Sequence, residues 1–189
     1  MVYRKTLQSS VEMAQWYENK YKEMGGCWHT PEEELDRHLD AAGLPADATE
    51  LRLLDIGCGD GSLIDRAAAR NATVYGFELT RQRHPRILNE DICEILSPLN
   101  FQFDFVVSLG SLEHVIDLAQ ALINIRRLLK PAGRWYFYCP NELWAHDDQP
   151  NERHAPDAEW IAVFDSADLV TDYVCRWNDS TAFGGTKRC

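Results

Sequence analysis

The sequence predicts an α/β fold in which helices cover both faces of a mostly parallel β-sheet. From residue 51 onward, short apolar segments of strand length alternate with segments whose apolar residues recur at helical spacing. Three glycines follow the first of these apolar segments and open the next helix. Because alternating strands and helices build parallel sheets, the pattern predicts a sheet that is buried on both faces.

The N-terminal part, residues 1–48, is predicted to be a helical lid segment ahead of one structural domain at residues 49–189. Apolar residues at helical spacing predict a first helix, which the Gly-Gly pair at residues 25–26 ends. A second helix is predicted to start at Thr30 and Pro31, which three glutamates follow. We expect the threonine hydroxyl to cap this helix and the proline to take its first position.

Seven apolar segments of strand length are predicted in the remainder of the chain. They lie at residues 51–56, 72–77, 86–88, 104–109, 135–139, 170–177 and 180–186. Helices are predicted at residues 62–70, 118–129 and 157–167, and the sequence KPAG at residues 130–133 is expected to stop the second of them.

Composition and charge restrict the class of protein. With 189 residues, 45% of them hydrophobic and 26% charged, the chain is predicted to form a single globular domain. Its 30 acidic and 19 basic residues give a net charge of −11, which argues against a nucleic-acid partner. Membrane spans need roughly 20 apolar residues, and no segment approaches that length. The first residues also lack the apolar core of a signal peptide.

Cysteine usage predicts the compartment. The six cysteines occupy positions 27, 58, 93, 139, 175 and 189, and no two of them form a CxxC pair. Scattered cysteines at this density are typical of reduced thiols, so we expect a cytoplasmic protein without disulfides.

A glycine-rich loop follows the first predicted strand and indicates a ligand site. Gly57, Gly59 and Gly61 alternate along it, and Asp55 precedes them by two residues. The third glycine comes one residue too early for a dinucleotide fingerprint, and no GKS or GKT follows, which excludes a P-loop. A carboxylate here suits a ligand that carries an ammonium and a sulfonium better than a pyrophosphate. Glu78 ends the second predicted strand, where a carboxylate can accept hydrogen bonds from ribose hydroxyls.

Several short motifs follow one another between residues 53 and 141. They are LLDIGCGDG at 53–61, GFE at 76–78, EDI at 90–92, SLEHV at 111–115, RLLKPAG at 127–133 and CPN at 139–141. In order and spacing they resemble the class I S-adenosylmethionine-dependent methyltransferases, in the branch that acts on small molecules. The resemblance covers roughly residues 50–142. It implies a Rossmann-like, mostly parallel seven-stranded sheet that ends in an antiparallel hairpin.

The same resemblance implies S-adenosylmethionine as methyl donor and S-adenosylhomocysteine as product. The implied cofactor-binding residues are Tyr21, Asp55, Gly57, Gly59, Glu78, Leu79, Asp91, Ile92 and Leu109. Gly57 and Gly59 would pack under the methionine portion with Asp55 nearby, and Glu78 would hold the ribose diol.

The implied adenine site is the part where this sequence departs from the family. Asp91 and Ile92 would border the adenine, and Leu109 would lie near the reactive methyl group. Residues 80–85 leave little of the helix that the family places between the positions of Glu78 and Asp91. We therefore expect a more open adenine pocket.

Methyl transfer from a sulfonium is an in-line displacement, and positioning can supply most of its catalysis. A general base is needed only if the acceptor arrives protonated. His114 and His154 are the candidate bases. A Glu-His pair resembling Glu113-His114 binds a divalent metal in some related families. If this protein uses a metal, the expected ligands are Glu113, His114 and His154. Those families add an acidic ligand shortly upstream, and this sequence has none there.

The prediction is therefore an enzyme that methylates an oxygen or nitrogen of a small molecule, with oxygen preferred. Tyr17, Tyr21 and Trp28 are expected to cover the cofactor or stack on the acceptor. Two alternatives remain: an RNA or other nucleic-acid methyltransferase, and a non-catalytic regulator that binds S-adenosylmethionine. Neither nucleic acid nor membrane is an expected partner, and we expect a monomer or a homodimer.

Overall fold

A computed structural model of the chain describes residues 6–95, 102–145 and 149–188. The strands are β1 (Arg52–Ile56), β2 (Thr73–Phe77), β3 (Ile87–Leu88), β4 (Phe103–Leu109), β5 (Leu129–Pro140), β6 (Leu169–Trp177) and β7 (Ser180–Lys187). The helices of these ranges are α1 (Ser10–Met24), α2 (Glu32–Ala41), α3 (Ser62–Ala69), α4 (Leu118–Leu128) and α5 (Asp157–Ser166), with a 3-10 turn at Leu112–His114.

The strands form one seven-stranded sheet in the order β3-β2-β1-β4-β5-β7-β6. The pairs from β3 to β5 are parallel, and β7 pairs antiparallel with both β5 and β6. The predicted mostly parallel sheet with a C-terminal antiparallel hairpin is thus confirmed. Because the parallel strands end at the same edge, the loops that follow β1, β2, β4 and β5 meet there and can build a common site.

Two hydrophobic layers bury the two faces of the sheet. On one face, α4 and α5 pack Ile125, Trp160 and Phe164 against Phe137 and neighbouring side chains. On the other, α2 and α3 bury their apolar residues against the opposite face of β1, β4 and β5, including Tyr136. Successive residues of a strand point to opposite faces, which is why neighbours on β5 contribute to different layers. The predicted cover of helices on both faces is confirmed.

The start of α2 differs from the prediction. Pro31, not Thr30, is the N-cap, with extended backbone angles (φ −55°, ψ 142°) and no side-chain hydrogen bond to the helix. The proline therefore stands just before the helix instead of in its first position. Three glutamates in the first turn, beginning at Glu32, supply negative charge where the helix dipole favours it.

The strand β5 is longer than the predicted segment 135–139. The helix α4 ends at Leu128, as the KPAG sequence led us to expect, but residues 130–133 then continue as strand. The register with β4 shifts there, which accommodates the extra residues as a bulge. Lys130 Nζ contacts both carboxylate oxygens of Asp104 on β4 at 2.8 Å, and this ion pair attaches the bulged segment to the sheet.

Two further expectations concern membranes and thiols. None of the helices in the described ranges is long and apolar enough to cross a membrane. The five cysteines in those ranges are all free thiols, as predicted, whereas Cys189 lies outside the described residues.

Candidate functional site

A cavity of about 420 Å³ lies at the carboxyl ends of β1, β2, β4 and β5. The loops after these strands form its floor, and α1, the segment at residues 27–30 and the first half of α2 also line it. Its size falls in the range of pockets that bury small-molecule ligands. The topology therefore gathers the sequence motifs that follow separate strands around one space.

The glycine loop after β1 adopts a backbone that side chains disfavour. Gly57, Gly59 and Gly61 all have positive φ angles, of 69°, 53° and 93°. A Cβ at Gly57 would also overlap the Oγ and Cβ atoms of Ser111. The amide of Gly57 donates to the carbonyl of Phe77 at 2.8 Å, which fixes the loop to the end of β2. Glycine is required here by both the backbone angle and the space.

Two buried carboxyl groups, Asp55 and Glu78, flank this loop. Burial raises the pKa of Asp55 to about 8, and the charge of Glu78 adds to the effect. Burial also raises the pKa of Glu78, against the opposing effect of its hydrogen bonds. Glu78 Oε2 accepts from the Gly59 amide at 3.0 Å, and Oε1 accepts from the amide and hydroxyl of Thr80 at 3.0 and 2.9 Å. This end of the cavity is consequently built to receive positive charge and hydrogen-bond donors.

All of the predicted cofactor residues line this one cavity. They are Tyr21, Asp55, Gly57, Gly59, Glu78, Leu79, Asp91, Ile92 and Leu109. The hydroxyl of Ser10 on α1 donates to Asp91 Oδ2 and joins the N-terminal helix to this wall. As the sequence predicted, the connection between β2 and β3 contains no helix. The side-chain amide of Asn89 holds it instead, by donating to the carbonyls of Glu78 and Leu79 at 3.0 and 2.6 Å.

Glu113 and His114 enter the same cavity from the 3-10 turn after β4. His114 Nδ1 lies 3.0 Å from the carbonyl oxygen of Pro150, which can only accept, so Nδ1 carries a hydrogen and donates it there. Glu113 Oε1 lies 3.8 Å from the Nε2 atom of the same ring. The two side chains form a buried pair, with His114 oriented by the carbonyl behind it.

Glu113 is only 4% exposed, and its carboxyl group is partly unsatisfied. Its Oε2 atom has no hydrogen-bond partner among the described residues. Burial raises the pKa of Glu113 to about 8, with a further contribution from Glu152 and an opposing one from Arg153.

The structure does not bring His154 into the cavity. The preceding residue, Arg153, donates its guanidinium hydrogens to the backbone carbonyls of Glu113 and Ile116, both at 3.1 Å, and so holds this segment beside the 3-10 turn. Across the described ranges, no three His, Cys, Asp or Glu side chains come close enough to hold a metal ion. The alternative ligand set of Glu113, His114 and His154 is therefore not assembled.

Aromatic side chains from the N-terminal segment line one side of the cavity. Tyr17 and Tyr21 lie on α1 with ring centroids 5.7 Å apart, and Trp28 lies 6.1 Å from the first and 5.7 Å from the second. Tyr17 also contacts the His114 ring at 6.1 Å. Its hydroxyl donates to Gln149 Oε1 at 3.2 Å, which ties α1 to the loop after β5.

His38 is a site residue that sequence reasoning missed. Its ring packs edge-on against Tyr138 on β5, with centroids 4.9 Å apart, and its Nδ1 atom lies 2.8 Å from the hydroxyl of Tyr136. Burial lowers its pKa to about 4, so the imidazole is neutral at physiological pH. Helical spacing with Leu35 and Leu39 made it resemble an ordinary core position. One feature of the sequence could have identified His38 as a site residue. It lies four residues after Glu34, and this spacing places both residues on the helix face that lines the cavity.

Comparison with known proteins now decides the family. A family model described as a methyltransferase domain matches residues 27–172, which is more than half of the chain. The chain belongs to this methyltransferase-domain family. Every predicted cofactor residue except Tyr21 falls within the matched range, and so does the Glu113-His114 pair.

Individual methyltransferases agree with that assignment. The ubiquinone biosynthesis O-methyltransferase of Roseobacter denitrificans is 35% identical over 112 residues, covering 53% of this chain and 44% of that protein. The chain thus spans less than half the length of this curated relative.

Two solved methyltransferases share the fold at low sequence identity. The 1,6-didemethyltoxoflavin-N1-methyltransferase of Burkholderia thailandensis, solved with its substrate and S-adenosylhomocysteine, superposes with a TM-score of 0.79 at 16% identity, covering 98% of this chain and 93% of that one. Magnesium protoporphyrin IX methyltransferase of Synechocystis, solved with S-adenosylmethionine, gives 0.71 at 13% identity and covers 98% and 100%.

Proposed function

We propose that this protein is an S-adenosylmethionine-dependent methyltransferase that acts on a small molecule. The observation that carries the proposal is the glycine loop between the buried carboxyl groups of Asp55 and Glu78, which fits a ligand with positive charge and ribose hydroxyls. Membership of the methyltransferase-domain family supports the same ligand. We infer that Gly57 and Gly59 lie under the methionine portion, while Asp91 and Ile92 border the adenine.

S-adenosylmethionine, when bound, supplies a methyl group on a positively charged sulfur. The task of the protein is then to orient the acceptor and to remove its proton where it carries one. We assign proton removal to His114, because this histidine lines the cavity beside Glu113 and the carbonyl of Pro150 orients its ring through Nδ1. An oxygen acceptor is preferred over nitrogen, in keeping with the O-methyltransferase named among its relatives. His154 is left without a catalytic role, since it does not line the cavity.

We also propose that α1 acts as a lid. Polar contacts from this segment to the rest of the site include Ser10 to Asp91, Tyr17 to Gln149, and a reciprocal pair of hydrogen bonds between Asn151 and the backbone of Leu7. Opening of α1 would admit ligands, and closure would exclude water from the reacting groups. The N-terminal segment would in this way complete the cofactor site, with the acceptor entering between α1 and α2.

Calorimetry with S-adenosylhomocysteine is the first test. We expect saturable binding by the chain, and no detectable binding would contradict the proposal. A radiolabelled-methyl assay against a panel of phenols, amines and RNA then identifies the acceptor class. Binding without turnover on any acceptor would favour the non-catalytic regulator. Turnover on RNA with strong salt dependence would favour a nucleic-acid methyltransferase.

The raised pKa of Asp55 predicts that a cationic ligand displaces a proton. The folded-state value of about 8 lies above the unfolded value, so the ligand-free protein loses stability as the pH rises from about 4 towards 8. A bound sulfonium and ammonium favour the ionised carboxylate. We expect the affinity for S-adenosylmethionine to increase by up to about tenfold per pH unit between pH 6 and 8, and then to level off.

Calorimetry at pH 7 in two buffers of different ionisation enthalpy measures this linkage. The wild-type protein should release a fraction of a proton on binding S-adenosylmethionine, and Asp55→Asn should release less. Equal proton release by both proteins would show that Asp55 does not face the positive charge.

A further inference from the structure

The cavity has two parts. The proposed cofactor residues line the cofactor side, around the glycine loop. Leu35, His38 and Tyr138 line the part between α2 and β5, which we call the acceptor side. Tyr138 pairs with Leu109 in the register of β5 with β4, and Leu109 is the residue that we expect near the reactive methyl group. A molecule bound on the acceptor side would therefore lie close to the methyl donor.

The ring of His38 is held in a fixed orientation on the acceptor side. Its centroid lies 4.9 Å from that of Tyr138 and 4.8 Å from that of Trp177 at the end of β6. The ring of Tyr136 lies 5.7 Å away. Packing against three aromatic rings restricts the rotation of a buried side chain. The edge that His38 presents to the cavity is therefore fixed before a ligand binds.

The hydrogen bond to Tyr136 determines which ring nitrogen of His38 carries the hydrogen. Burial lowers the pKa of His38 to about 4, so the ring is neutral and carries one hydrogen. Its Nδ1 atom lies 2.8 Å from the Tyr136 hydroxyl, which is fully buried and has no other hydrogen-bond partner among the described residues. If Nδ1 donated, the hydroxyl hydrogen would be buried without an acceptor, which is costly. The hydroxyl therefore donates to Nδ1, and the hydrogen of the imidazole lies on Nε2.

The Nε2 atom of His38 is open to the cavity. It has no hydrogen-bond partner among the described residues and is not sealed off from solvent, although His38 as a whole is only 3% exposed. Because His38 lines the cavity, this edge of the ring faces the space that the acceptor would occupy. A ligand without a hydrogen-bond acceptor at this place would leave the Nε2 hydrogen unpaired, and a site of this kind discriminates against such a ligand.

The surroundings of Nε2 favour an uncharged oxygen as the partner. Glu34 lies one helical turn before His38 and also lines the cavity, and none of the described lining residues is Lys or Arg. An anionic oxygen would therefore meet negative charge without a cation to compensate it. An ammonium group cannot accept a hydrogen bond at all. A carbonyl oxygen is uncharged and only accepts, so it fits the position.

We propose that His38 binds a carbonyl oxygen of the methyl acceptor by donating from Nε2, and that Tyr136 is a positioning residue that keeps this hydrogen on Nε2. The inference rests on the proposed function, because it assigns the acceptor side of the same cavity. It adds the functional group by which the acceptor is recognised and the residue that selects it.

Two phenols that differ at one carbon test the carbonyl: 4-hydroxyacetophenone carries a ketone where 4-ethylphenol carries a methylene group. Dissociation constants are measured by calorimetry on protein saturated with S-adenosylhomocysteine, at about pH 6.5, where both phenols are largely un-ionised. The 3-substituted pair is measured as well, because the ketone can then reach a different position. We expect the ketone of at least one pair to bind at least about tenfold more tightly than its partner. Equal or weaker binding of the ketone in both pairs would overturn the proposal.

The outcome is separable from the proposed function. If S-adenosylhomocysteine binds and none of the four probes does, the acceptor proposal is wrong while the cofactor assignment stands. If S-adenosylhomocysteine itself does not bind, the proposed function fails and the acceptor proposal fails with it.

The double variant His38→Leu/Tyr136→Phe tests the role of His38. His38→Leu alone would leave the buried Tyr136 hydroxyl without a partner, whereas replacing both partners by apolar groups leaves no unsatisfied group. The double variant should lose the roughly tenfold preference for the ketone, while its affinity for S-adenosylhomocysteine stays within about twofold of the wild type. An unchanged preference for the ketone in the folded double variant would overturn the role of His38.

Tyr136→Phe provides a second, milder variant that keeps His38. Without the Tyr136 hydroxyl, the hydrogen of the imidazole is shared between Nδ1 and Nε2, so the preference for the ketone should fall by about twofold. Binding of the ethylphenols should not change. Tyr173→Phe is the matched control, since its ring lies 6.3 Å from that of Tyr136 and does not line the cavity. Equal preferences in the Tyr136→Phe and Tyr173→Phe proteins would overturn the role of Tyr136.

Discussion

Gly57→Ala is expected to destabilise the protein by about 2–5 kcal/mol and to abolish binding of S-adenosylhomocysteine. The new Cβ meets two penalties: a positive φ of 69°, and overlap with the Oγ and Cβ atoms of Ser111. Ser111 cannot simply turn away, because its hydroxyl donates to the carbonyl of Ile56 at 3.1 Å at the end of β1. The loop that presents its backbone to the cofactor must therefore move. Urea unfolding followed by circular dichroism measures the loss.

Gly25→Ala is the matched control for this prediction. Gly25 ends α1 with a similar φ of 78°, but a Cβ there would meet nothing within 4 Å. Gly25→Ala therefore measures the cost of the positive φ alone, which we expect to lower the free energy of unfolding by about 1–2 kcal/mol. Adding Ser111→Gly to Gly57→Ala removes the overlap, so the double variant should regain part of the lost stability beyond the sum of the single changes. Equal destabilisation by Gly57→Ala and Gly25→Ala would refute the steric argument.

The cofactor side of the cavity could be predicted from sequence because its determinants are local. Its central residues lie at or directly after the ends of strands, and parallel strands bring their ends to one edge whatever the details of packing. Asp55 lies near the end of β1 and Gly57 follows that strand, Glu78 follows β2, and Leu109 ends β4. Once the strands are recognised, the topology places these residues around one space without further information.

The acceptor side depends on contacts between distant segments, which a single sequence does not reveal. His38 reaches the site because α2 packs over β5, a contact across 98 residues that the Tyr136 hydroxyl completes. His154 does not line the cavity, and its neighbour Arg153 donates to the carbonyls of Glu113 and Ile116. The sequence marked His154 as a candidate base and gave His38 no role, and only tertiary packing reverses that assignment.

The bounds of the helices and strands divide in the same way, into those that the local sequence determines and those that depend on contacts between distant segments. The end of α4 was predictable from the KPAG sequence, but the strand character of residues 130–133 was not. There the register with β4 shifts, and Lys130 pairs with Asp104 on that neighbouring strand. The cap at Thr30 failed for a local reason: the proline that follows it takes the cap position with extended backbone angles.

Glu78→Ala is expected to weaken binding of S-adenosylhomocysteine by at least about 100-fold, because two charge-assisted hydrogen bonds to ribose hydroxyls contribute about 1.5–3 kcal/mol each. The same change removes a carboxyl group whose pKa is raised by burial, which means that its charge is costly in the ligand-free protein. We therefore expect the free energy of unfolding of the ligand-free protein to fall by less than the free energy of binding that is lost. The remaining cost comes from the Gly59 and Thr80 amides, which lose their acceptor.

Glu78→Gln separates these contributions, since it keeps an acceptor for the Thr80 amide but removes the charge. We expect about tenfold weaker binding of S-adenosylhomocysteine and a thermal midpoint within a few degrees of the wild type in the absence of ligand. Glu94→Ala, an exposed position outside the cavity, should change neither quantity. If Glu78→Gln lowers stability without changing affinity, the carboxylate serves only to fix the glycine loop, and the ribose must be held by another group.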